Sequence, residues 1–378
     1  MGMKKKMLSA TLCAVMVGSL AAPAFTVQAA DDTLVYWSMW EATEPQGQVI
    51  QEAVDAYTEQ TGVKVDLQFK GRTGNREALQ PALDGGTQID IFDEDIDRVN
   101  GMYGKYLLDL EDLAKENDYE ATANAGLMAA CRDAGGGTLK TIPYQPNVFA
   151  FFYNKDLFEQ AGIEEVPVTY EEFLDAVDKL NAAGITPLTV GAQDNYSIWA
   201  FETMLARYGF FEKLDGLKDG SISWNNEDFI HYFEKVEEMR EKGTFTKDIS
   251  NIGYFEAKEQ FLGGNAAMFN SGAWDIGDFE GSDMASKIGF FWGPTFSDSQ
   301  YEQQIGIKAS GGVYVVSSKA AEDPVLLDAI MQFWQFYYGE EGTRIIAEDT
   351  AALPCSTYNG QIDESQHPVL STMITALN

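Results

Sequence analysis

Three short segments of the sequence place aromatic side chains beside planar polar ones, and a fourth segment carries planar polar side chains directly after Phe92. They cover residues 36–41 (YWSMWE), 93–98 (DEDIDR), 193–199 (QDNYSIW) and 270–275 (NSGAWD). Aromatic rings offer flat apolar faces, while carboxylate, amide and guanidinium groups offer fixed acceptors and donors. Such a combination suits a ligand with flat C–H faces and a rim of hydroxyls, such as a sugar. We therefore treat the four segments as candidate parts of one binding site.

The position of each segment separates the candidates from core residues. Trp40 and Glu41 follow a predicted strand, whereas Trp37 within that strand is predicted to pack in the core. Trp274 follows another predicted strand, and the preceding glycine permits a sharp turn. Trp199 falls in a predicted helix, where core packing and ligand stacking both remain open. We predict that the other tryptophans pack structurally: Trp224 in a short strand, and Trp292 and Trp334.

The acidic segment 93–98 is predicted to form a loop that carries Glu94, Asp97 and Arg98. Two other interpretations remain open for it. It could be a solvated acidic loop, or it could bind a metal ion, because four carboxylates crowd together there. We expect no metal and no cofactor.

These segments lie at the ends of alternating strands and helices. Strands are predicted at 33–40, 63–69 and 89–92, with helices at 47–60 and 76–83 between them, which indicates an α/β layered domain. Ligands of such sheets bind beyond the carboxyl ends of strands. The apolar run 148–153 predicts a strand buried on both faces. The second half is more helical, with helices at 169–183, 199–208, 226–242, 253–262 and 324–338 and strands at 266–269, 288–291 and 313–316.

The N-terminus predicts export from the cytoplasm. Three lysines, an apolar run from residue 7 to 24 and the small-x-small site ending at Ala29 predict a secretory signal peptide at residues 1–29. The alternatives are an uncleaved membrane anchor and lipidation at Cys13. Removal of the signal changes the formal charge from −33 to −36. We find no basic patch, so this charge argues against nucleic acid as a partner.

The sequence lacks the residues that several kinds of catalytic or metal-binding site require. The chain has two histidines, His231 and His367, and no G-x-S-x-G motif, which argues against Ser/His/Asp hydrolysis and zinc ligation. A phosphate-binding loop is absent, so any ATP hydrolysis belongs to a partner. Cys131 and Cys355 are predicted to be thiols rather than a disulfide. About 350 residues after cleavage predict two domains.

The order of several motifs resembles one family. It includes TGVKVDLQF, an Asp-Ile-Phe strand before YLLDLEDL, IPY followed by FFYNKDLFEQAGI, then VTYEEFLDAVDKLNAAGITPL, EAKEQFLGGNAAMFNSGAW and SGGVYVVSSKA. From about residue 33 to 370 the chain resembles the extracellular solute-binding proteins of ABC importers. More narrowly, it is similar to the carbohydrate-binding group that includes the maltose-binding protein.

The resemblance implies an α/β, two-lobe periplasmic-binding-protein-like fold of type II. Each lobe would be a mostly parallel sheet flanked by helices, with the ligand cleft between the lobes. Lobe 1 would comprise residues 30–145 and 306–354, and lobe 2 residues 147–304 and 357–378, truncated at the C-terminus. The polar group 144–147 would then cross the hinge, and Asn147 would lie in the cleft.

The resemblance also assigns roles to candidate residues. Asp97 and Arg98 match an Asp-Arg pair of the maltose-binding protein, while Glu94 stands at the position of a tryptophan platform, which argues against maltodextrin as ligand. Asp194 and Tyr196 match the cleft acid and cleft tyrosine of the family, and Trp274 matches its stacking tryptophan. Gly311 and Gly312, where the chain re-enters lobe 1, would allow close approach of the backbone to the ligand or form a plain turn. The predicted ligand-binding set is Trp40, Glu41, Glu94, Asp97, Arg98, Asn147, Asp194, Tyr196, Trp199, Trp274, Gly311 and Gly312.

The implied function is capture of a carbohydrate by a monomer and its delivery to the membrane permease of an ABC importer. The protein would work in the periplasm or on the outer cell surface and would not be an enzyme. Other interpretations remain open at this point. They are a binding protein for a polyamine or a metal chelate, a secreted glycosidase with two carboxylates across the scissile bond, and a surface adhesin.

Overall fold

The structure, a computed structural model, describes residues 33–116, 118–193, 199–303 and 309–377. The side chains of residues 199, 200, 309, 310 and 377 lie outside this description. Strands occur throughout: β1 (Leu34–Ser38), β2 (Val65–Phe69), β3 (Ile91–Asp95), β4 (Ile142–Pro143), β5 (Pro146–Asn147), β6 (Phe149–Asn154), β7 (Thr186–Thr189), β8 (Ala266–Gly272), β9 (Ile288–Phe291), β10 (Ala309–Ser310) and β11 (Gly312–Val316).

Helices cover both halves of the chain. They are α1 (Pro45–Thr61), α2 (Gly71–Asp84), α3 (Ile96–Met102), α4 (Glu111–Glu116), α5 (Ala125–Ala134), α6 (Lys155–Gln160), α7 (Tyr170–Ala182), α8 (Trp199–Leu205), α9 (Phe210–Asp219), α10 (Glu227–Glu241), α11 (Tyr254–Leu262), α12 (Ile276–Glu280), α13 (Pro324–Tyr338), α14 (Glu340–Arg344) and α15 (Pro368–Leu377). Within the described ranges, no helix combines the length and the apolar character that a membrane crossing requires.

The first sheet has the strand order β2-β1-β3-β11-β4 and forms the centre of lobe 1. Strand β1 pairs in parallel with β2 and β3, whereas β11 pairs antiparallel with β3 and β4. One apolar cluster packs this sheet against α1 and α13, with Tyr57 and Trp334 fully or almost fully buried. Strand β11 lies between β3 and β4 in this sheet, although it follows all the strands of the second sheet in the sequence.

The second sheet has the order β7-β8-β6-β9 and forms the centre of lobe 2. Side chains of β6 alternate between two apolar clusters: Phe151 belongs to one, while Ala150 and Phe152 belong to the other. Both faces of β6 are therefore covered, because helices α7, α8 and α10 pack on one side and α11, α12 and α15 on the other. This burial explains the continuous apolar run that the sequence carries here.

The predicted two-lobe α/β fold is confirmed, but two details of the prediction are wrong. Neither sheet is mostly parallel: in lobe 1 β11 runs antiparallel to both of its neighbours, and in lobe 2 only β7 and β8 pair in parallel, with both neighbours of β6 antiparallel to it. A continuous apolar run does not distinguish the two directions, since either kind of strand can be buried on both faces. Trp224 lies in a turn rather than a strand, and 53% of it is exposed, although it contacts Phe210 and Phe229.

Two short strands connect the lobes side by side. Strand β5 leads from lobe 1 to lobe 2, β10 leads back, and they pair antiparallel. A third segment runs along the same boundary, because Leu353 packs in a lobe 2 cluster and Cys355 in the lobe 1 cluster. Cys131 and Cys355 are both buried and unbridged. Two antiparallel strands and one further segment thus join the lobes.

A buried arginine fixes the end of α8 to the loop that follows β9. Arg207 is fully buried, and its guanidinium donates to the backbone carbonyls of Thr203 at 2.7 Å, Trp292 at 2.7 Å and Gln303 at 3.1 Å. Burial lowers the pKa of Arg207 to about 10, so it remains charged at neutral pH. No charged side chain among the described residues contributes to this shift, which burial alone causes.

We expect Arg207→Met to destabilise lobe 2 by about 3 kcal/mol or more, because three buried carbonyls lose their donors while the volume is kept. The free energy of unfolding from denaturant titration tests this. Arg240→Met is the matched control, since the side chain of Arg240 is 63% exposed on α10. Equal stabilities of the two variants would contradict this role of Arg207.

Candidate functional site

A cavity of about 360 Å³ lies between the lobes, and we call it the interlobe cleft. It sits where β1 and β3 end in lobe 1 and where β8 ends in lobe 2, so it follows the rule for open α/β sheets. Its lobe 1 wall consists of Met39, Trp40, Glu44, Pro45, Arg72, Arg76, Asp95 and Arg98. The crossing strand region adds Gln145 and Asn147, and lobe 2 adds Tyr254, Phe255, Lys258, Trp274 and Asp275.

The first part of the lobe 1 wall joins Trp40, Arg72 and Glu44. The guanidinium of Arg72 lies over the Trp40 ring, 4.4 Å from its centroid, and donates to both Glu44 oxygens at 2.7 and 3.0 Å. The Trp40 indole N–H donates to the Tyr144 hydroxyl at 2.6 Å. Trp40 is thus held at its edge by a hydrogen bond and on one face by a cation.

The second part of the lobe 1 wall is a cluster of two arginines and two carboxylates. Arg76 donates to Glu94 at 3.1 Å and to Asp95 at 3.0 Å, and Arg98 Nε lies 3.6 Å from the second Glu94 oxygen. The Glu94 side chain is fully buried between the two guanidinium groups. Burial raises the pKa of Asp95 to about 6, and the nearby Glu94 also raises it. The wall therefore presents cations that are already paired with carboxylates.

The lobe 2 wall centres on Trp274, which is half-buried. Its ring packs edge-to-face against Phe149 with centroids 5.2 Å apart, and its N–H donates to the Tyr254 hydroxyl at 2.7 Å. Lys258, 5% exposed, forms ion pairs with Asp275 at 3.1 Å and with Asp278. This wall, too, combines an aromatic face with a cation that has carboxylate partners.

The floor of the cleft is the crossing between the lobes. The Gln145 amide donates to Gln46 at 3.1 Å, and Asn147 pairs through its backbone with Ala309. A Cβ atom on Gly311 would lie 1.9 Å from Asn147 Oδ1, and one on Gly312 would lie 2.4 Å from a ring carbon of Tyr144. The two glycines therefore make room for side chains of the crossing and do not line the cleft.

Beneath the lobe 1 wall, Asp93 is fully buried. It accepts a hydrogen bond from Tyr36 and another from the Met39 backbone N–H at 2.8 Å. Burial raises the pKa of Asp93 to about 7, although its hydrogen bonds oppose this rise. The carboxyl group thus positions the backbone of Met39, which lines the cleft.

This raised pKa predicts a pH dependence of stability. The ordinary value for Asp is about 3.9, so between pH 4 and 7 the folded protein binds more of this proton than the unfolded chain. The contribution of Asp93 to the free energy of unfolding is therefore greatest below pH 4. It decreases by at most about 1.4 kcal/mol per pH unit as the pH rises to 7. We expect Asp93→Asn to remove this decrease in unfolding midpoints measured across that range. Glu77→Gln on the exposed face of α2 is the control, and an unchanged slope in Asp93→Asn would contradict the assignment.

Four of the predicted site residues line the interlobe cleft: Trp40, Arg98, Asn147 and Trp274. Five others do not line it: Glu41, Glu94, Asp97, Gly311 and Gly312. The prediction of a loop at 93–98 is wrong, because Glu94 ends up inside β3 and Asp97 on the exposed side of α3. Asp194 and Tyr196 lie outside the described residues. Trp199 begins α8, but its side chain is not among those described.

Sequence reasoning missed several wall residues. Arg72 and Arg76 stand four residues apart on α2, and Tyr254 and Lys258 stand four residues apart on α11. This spacing places each pair on one helix face, which was the available signal. Because the helix was predicted to start at residue 76, Arg72 fell outside it. Within the described ranges, no cluster of three or more His, Cys, Asp or Glu side chains has the geometry to hold a metal ion.

Sequence comparison relates the chain to one family. The family model of bacterial extracellular solute-binding proteins matches residues 52–367. The sn-glycerol-3-phosphate-binding periplasmic protein UgpB of Pectobacterium atrosepticum is 23% identical over 366 residues, which cover 90% of this chain and 76% of that protein. The protein of the same name from Salmonella typhimurium is 24% identical over 306 residues, and the match spans 78% of this chain and 65% of that protein.

Solved structures share the fold. One comes from work on xylan utilization by Caldanaerobius polysaccharolyticus, with a TM-score of 0.77, 20% identity and coverage of 91% of this chain and 87% of that chain. A chitin oligosaccharide binding protein has a TM-score of 0.76, 22% identity and coverage of 91% and 86%. These likenesses extend over both lobes.

Proposed function

Because this chain belongs to the bacterial extracellular solute-binding proteins, we propose that it binds a carbohydrate in the interlobe cleft. The observation that carries the proposal is that Trp40 and Trp274, one from each lobe, line one cavity together with planar polar side chains. Tryptophan faces match the C–H faces of a sugar ring, and fixed donors and acceptors match its hydroxyls. Lobe closure then removes both kinds of contact from water.

The ion pairs of the walls favour an uncharged ligand. Arg72 pairs with Glu44, Arg76 with Glu94 and Asp95, and Lys258 with Asp275 and Asp278. A hydroxyl group donates to a carboxylate and accepts from a guanidinium, so it can use both members of such a pair. Among the described residues, the cations of the cleft are balanced by carboxylates. A phosphate would have to compete with these carboxylates for the cations.

Two other ligand classes have weaker support. The UgpB relatives are named for sn-glycerol 3-phosphate, and the three arginines of the cleft would suit a phosphate if their carboxylates were absent. A polyamine would need carboxylates that have no cation beside them, and those of the cleft walls are paired. The same charge balance therefore argues against both a polyanion and a polycation.

Ligand capture is proposed to proceed by hinge closure between lobe 1, residues 30–145 and 306–354, and lobe 2, residues 147–304 and 357–378. The paired strands β5 and β10 supply the axis. A sugar that contacts both walls binds the closed form better than the open form, and this difference in affinity shifts the population toward closure. The closed form is the one that a permease can distinguish from the empty protein.

The cellular role follows from these proposals. Residues 1–29 would direct export across the cytoplasmic membrane, and the mature protein would work as a monomer in the periplasm or on the outer cell surface. Its partner would be the permease of an ABC importer, which supplies the energy for transport. The protein itself would catalyse no reaction and bind no nucleic acid. Its large negative charge disfavours nucleic acid as a partner.

Thermal unfolding of the chain from Ala30 onward tests the ligand class. The panel contains xylan- and chitin-derived oligosaccharides, neutral monosaccharides, sn-glycerol 3-phosphate, spermidine and calcium ions. A bound ligand at one hundred times its Kd adds about 2.7 kcal/mol of stability and raises the midpoint. We expect a shift with a neutral sugar. A shift with glycerol 3-phosphate, spermidine or calcium and none with any sugar would overturn the proposal.

A further inference from the structure

A chain of buried hydrogen bonds starts at the Trp274 indole and runs through the lobe 2 wall of the interlobe cleft. The indole N–H donates to the Tyr254 hydroxyl at 2.7 Å, and the Tyr254 hydroxyl donates to Asp275 Oδ2. Ser271 Oγ lies 2.5 Å from the same carboxylate oxygen, and Lys258 Nζ lies 3.1 Å from the other. Tyr254, Ser271 and Asp275 are at most 5% exposed, so water does not compete for these bonds.

The chemistry of the groups indicates the direction of the two bonds that join Trp274, Tyr254 and Asp275, whereas either hydroxyl can be the donor between Tyr254 and Ser271, whose oxygens lie 2.6 Å apart. Burial raises the pKa of Asp275, whereas its ion pair with Lys258 opposes the rise, and in the ionised form that this pair favours the carboxylate can only accept. Burial raises the pKa of Tyr254 well above its ordinary value, so the phenol keeps its single proton and donates it to Asp275. The tyrosine oxygen is then left as an acceptor, which matches the one group that Trp274 can offer, an N–H donor. The chain therefore selects one orientation of the indole edge.

The ring of Trp274 also packs against neighbouring backbone and side-chain atoms. A Cβ atom on Gly272 would lie only 2.2 Å from Cζ3 of the indole, so the ring rests directly on the glycine backbone. Phe149 packs its edge against the ring at an interplanar angle of 82°. Trp274 also packs against the lobe 1 cluster. The six-membered ring and the N–H of the indole are thus both held by protein atoms.

We propose that Tyr254 and Asp275 are positioning residues that hold the Trp274 indole in its stacking orientation and occupy its N–H. This inference rests on the proposed function, because it assigns Trp274 to ligand contact. It has a consequence for specificity. Since the N–H is engaged with Tyr254, the tryptophan offers the ligand a π face and no donor, so the group seated against it is a C–H face rather than a hydroxyl.

The test compares Tyr254→Phe with Tyr170→Phe. Both variants remove one hydroxyl from a buried tyrosine of lobe 2, but the Tyr170 hydroxyl bonds to Lys235 and Glu238, away from the interlobe cleft. Nitrogen-15 NMR of the tryptophan side chains reports the indole N–H of Trp274, assigned with Trp274→Phe. Calorimetric titration with the neutral sugar found by thermal unfolding reports affinity.

We expect Tyr254→Phe to speed exchange of the Trp274 indole proton at least tenfold and to weaken the sugar about tenfold. Tyr170→Phe should change neither, even if it lowers the unfolding midpoint equally. Gly272→Ala, which displaces the ring while it keeps Tyr254, Ser271 and Asp275, should weaken binding of the sugar by a similar factor. An unchanged indole signal or affinity in Tyr254→Phe overturns the positioning role.

The two proposals fail in different ways. If the wild-type protein binds no sugar, the proposed function and the specificity that follows from it are both overturned. The indole exchange still reports whether Tyr254 holds Trp274. If the sugar binds but Tyr254→Phe behaves as Tyr170→Phe does, the proposed function stands and the positioning role is overturned.

Discussion

Replacing Trp274 by Ala is expected to weaken carbohydrate binding by about 1 to 3 kcal/mol, a factor of roughly 5 to 150. The indole lines the interlobe cleft and is fixed by Gly272, Phe149 and Tyr254. Because the ring is oriented before the ligand arrives, little conformational entropy is lost on binding. The substitution removes that fixed apolar face and leaves Tyr254 without its indole donor.

Calorimetric titration of the variant with the neutral sugar measures the loss. Trp224→Ala is the control, because Trp224 belongs to the same lobe and is 53% exposed in a turn. It should retain wild-type affinity. An affinity of Trp274→Ala within twofold of the wild type would remove this residue from the site.

Replacing Glu94 by Gln is expected to destabilise the protein by about 3 to 5 kcal/mol. It is also expected to change which ligand, a neutral sugar or a phosphate, the cleft prefers. Glu94 is fully buried and is the shared partner of Arg76 and Arg98. Loss of one member of a buried ion pair leaves an uncompensated charge, which is strongly unfavourable. The variant has two guanidinium groups facing Asp95, so the lobe 1 wall gains one positive charge. We therefore expect binding of glycerol 3-phosphate to appear or strengthen and that of the neutral sugar to weaken.

Denaturant unfolding and calorimetric titration of Glu94→Gln measure both effects. Glu120→Gln is a matched control, since it breaks an ion pair with Arg132 in the same lobe at a partly exposed site outside the cleft lining. It should lose less stability and show no new affinity for the phosphate. If Glu94→Gln matches Glu120→Gln in both measurements, the charge balance of the cleft does not determine its ligand.

Local sequence patterns predicted those elements whose signals are short-range. The capping box of Thr169 and Glu172 marks the start of α7, and the apolar run around Phe151 marks β6 as a strand covered on both faces. The direction of β6 relative to its neighbours was not predictable, because burial on two faces does not depend on direction. That information is carried by the connections between strands, which the local pattern does not contain.

The site was predictable where a residue follows the end of a strand. Trp40 after β1 and Trp274 after β8 were found on that basis. Arg72 was missed because the start of α2 carries no recognisable sequence signal. The helix begins at Gly71, a residue with φ of +66°, and no side chain caps its N-terminus. Glu94 was placed in a loop because three successive acids suggest solvent exposure. Its burial depends on Arg76 and Arg98, which come from two different helices.

Calorimetric titration of the chain from Ala30 onward with the neutral sugar selected by thermal unfolding, and with sn-glycerol 3-phosphate, tests the central claim most directly. We expect the sugar to bind with a stoichiometry of one and with a negative heat-capacity change, since closure buries apolar surface. We expect the phosphate to bind at least tenfold more weakly. Tighter binding of the phosphate than of any neutral sugar would contradict the account, because the paired arginines of the interlobe cleft would then be available to an anion.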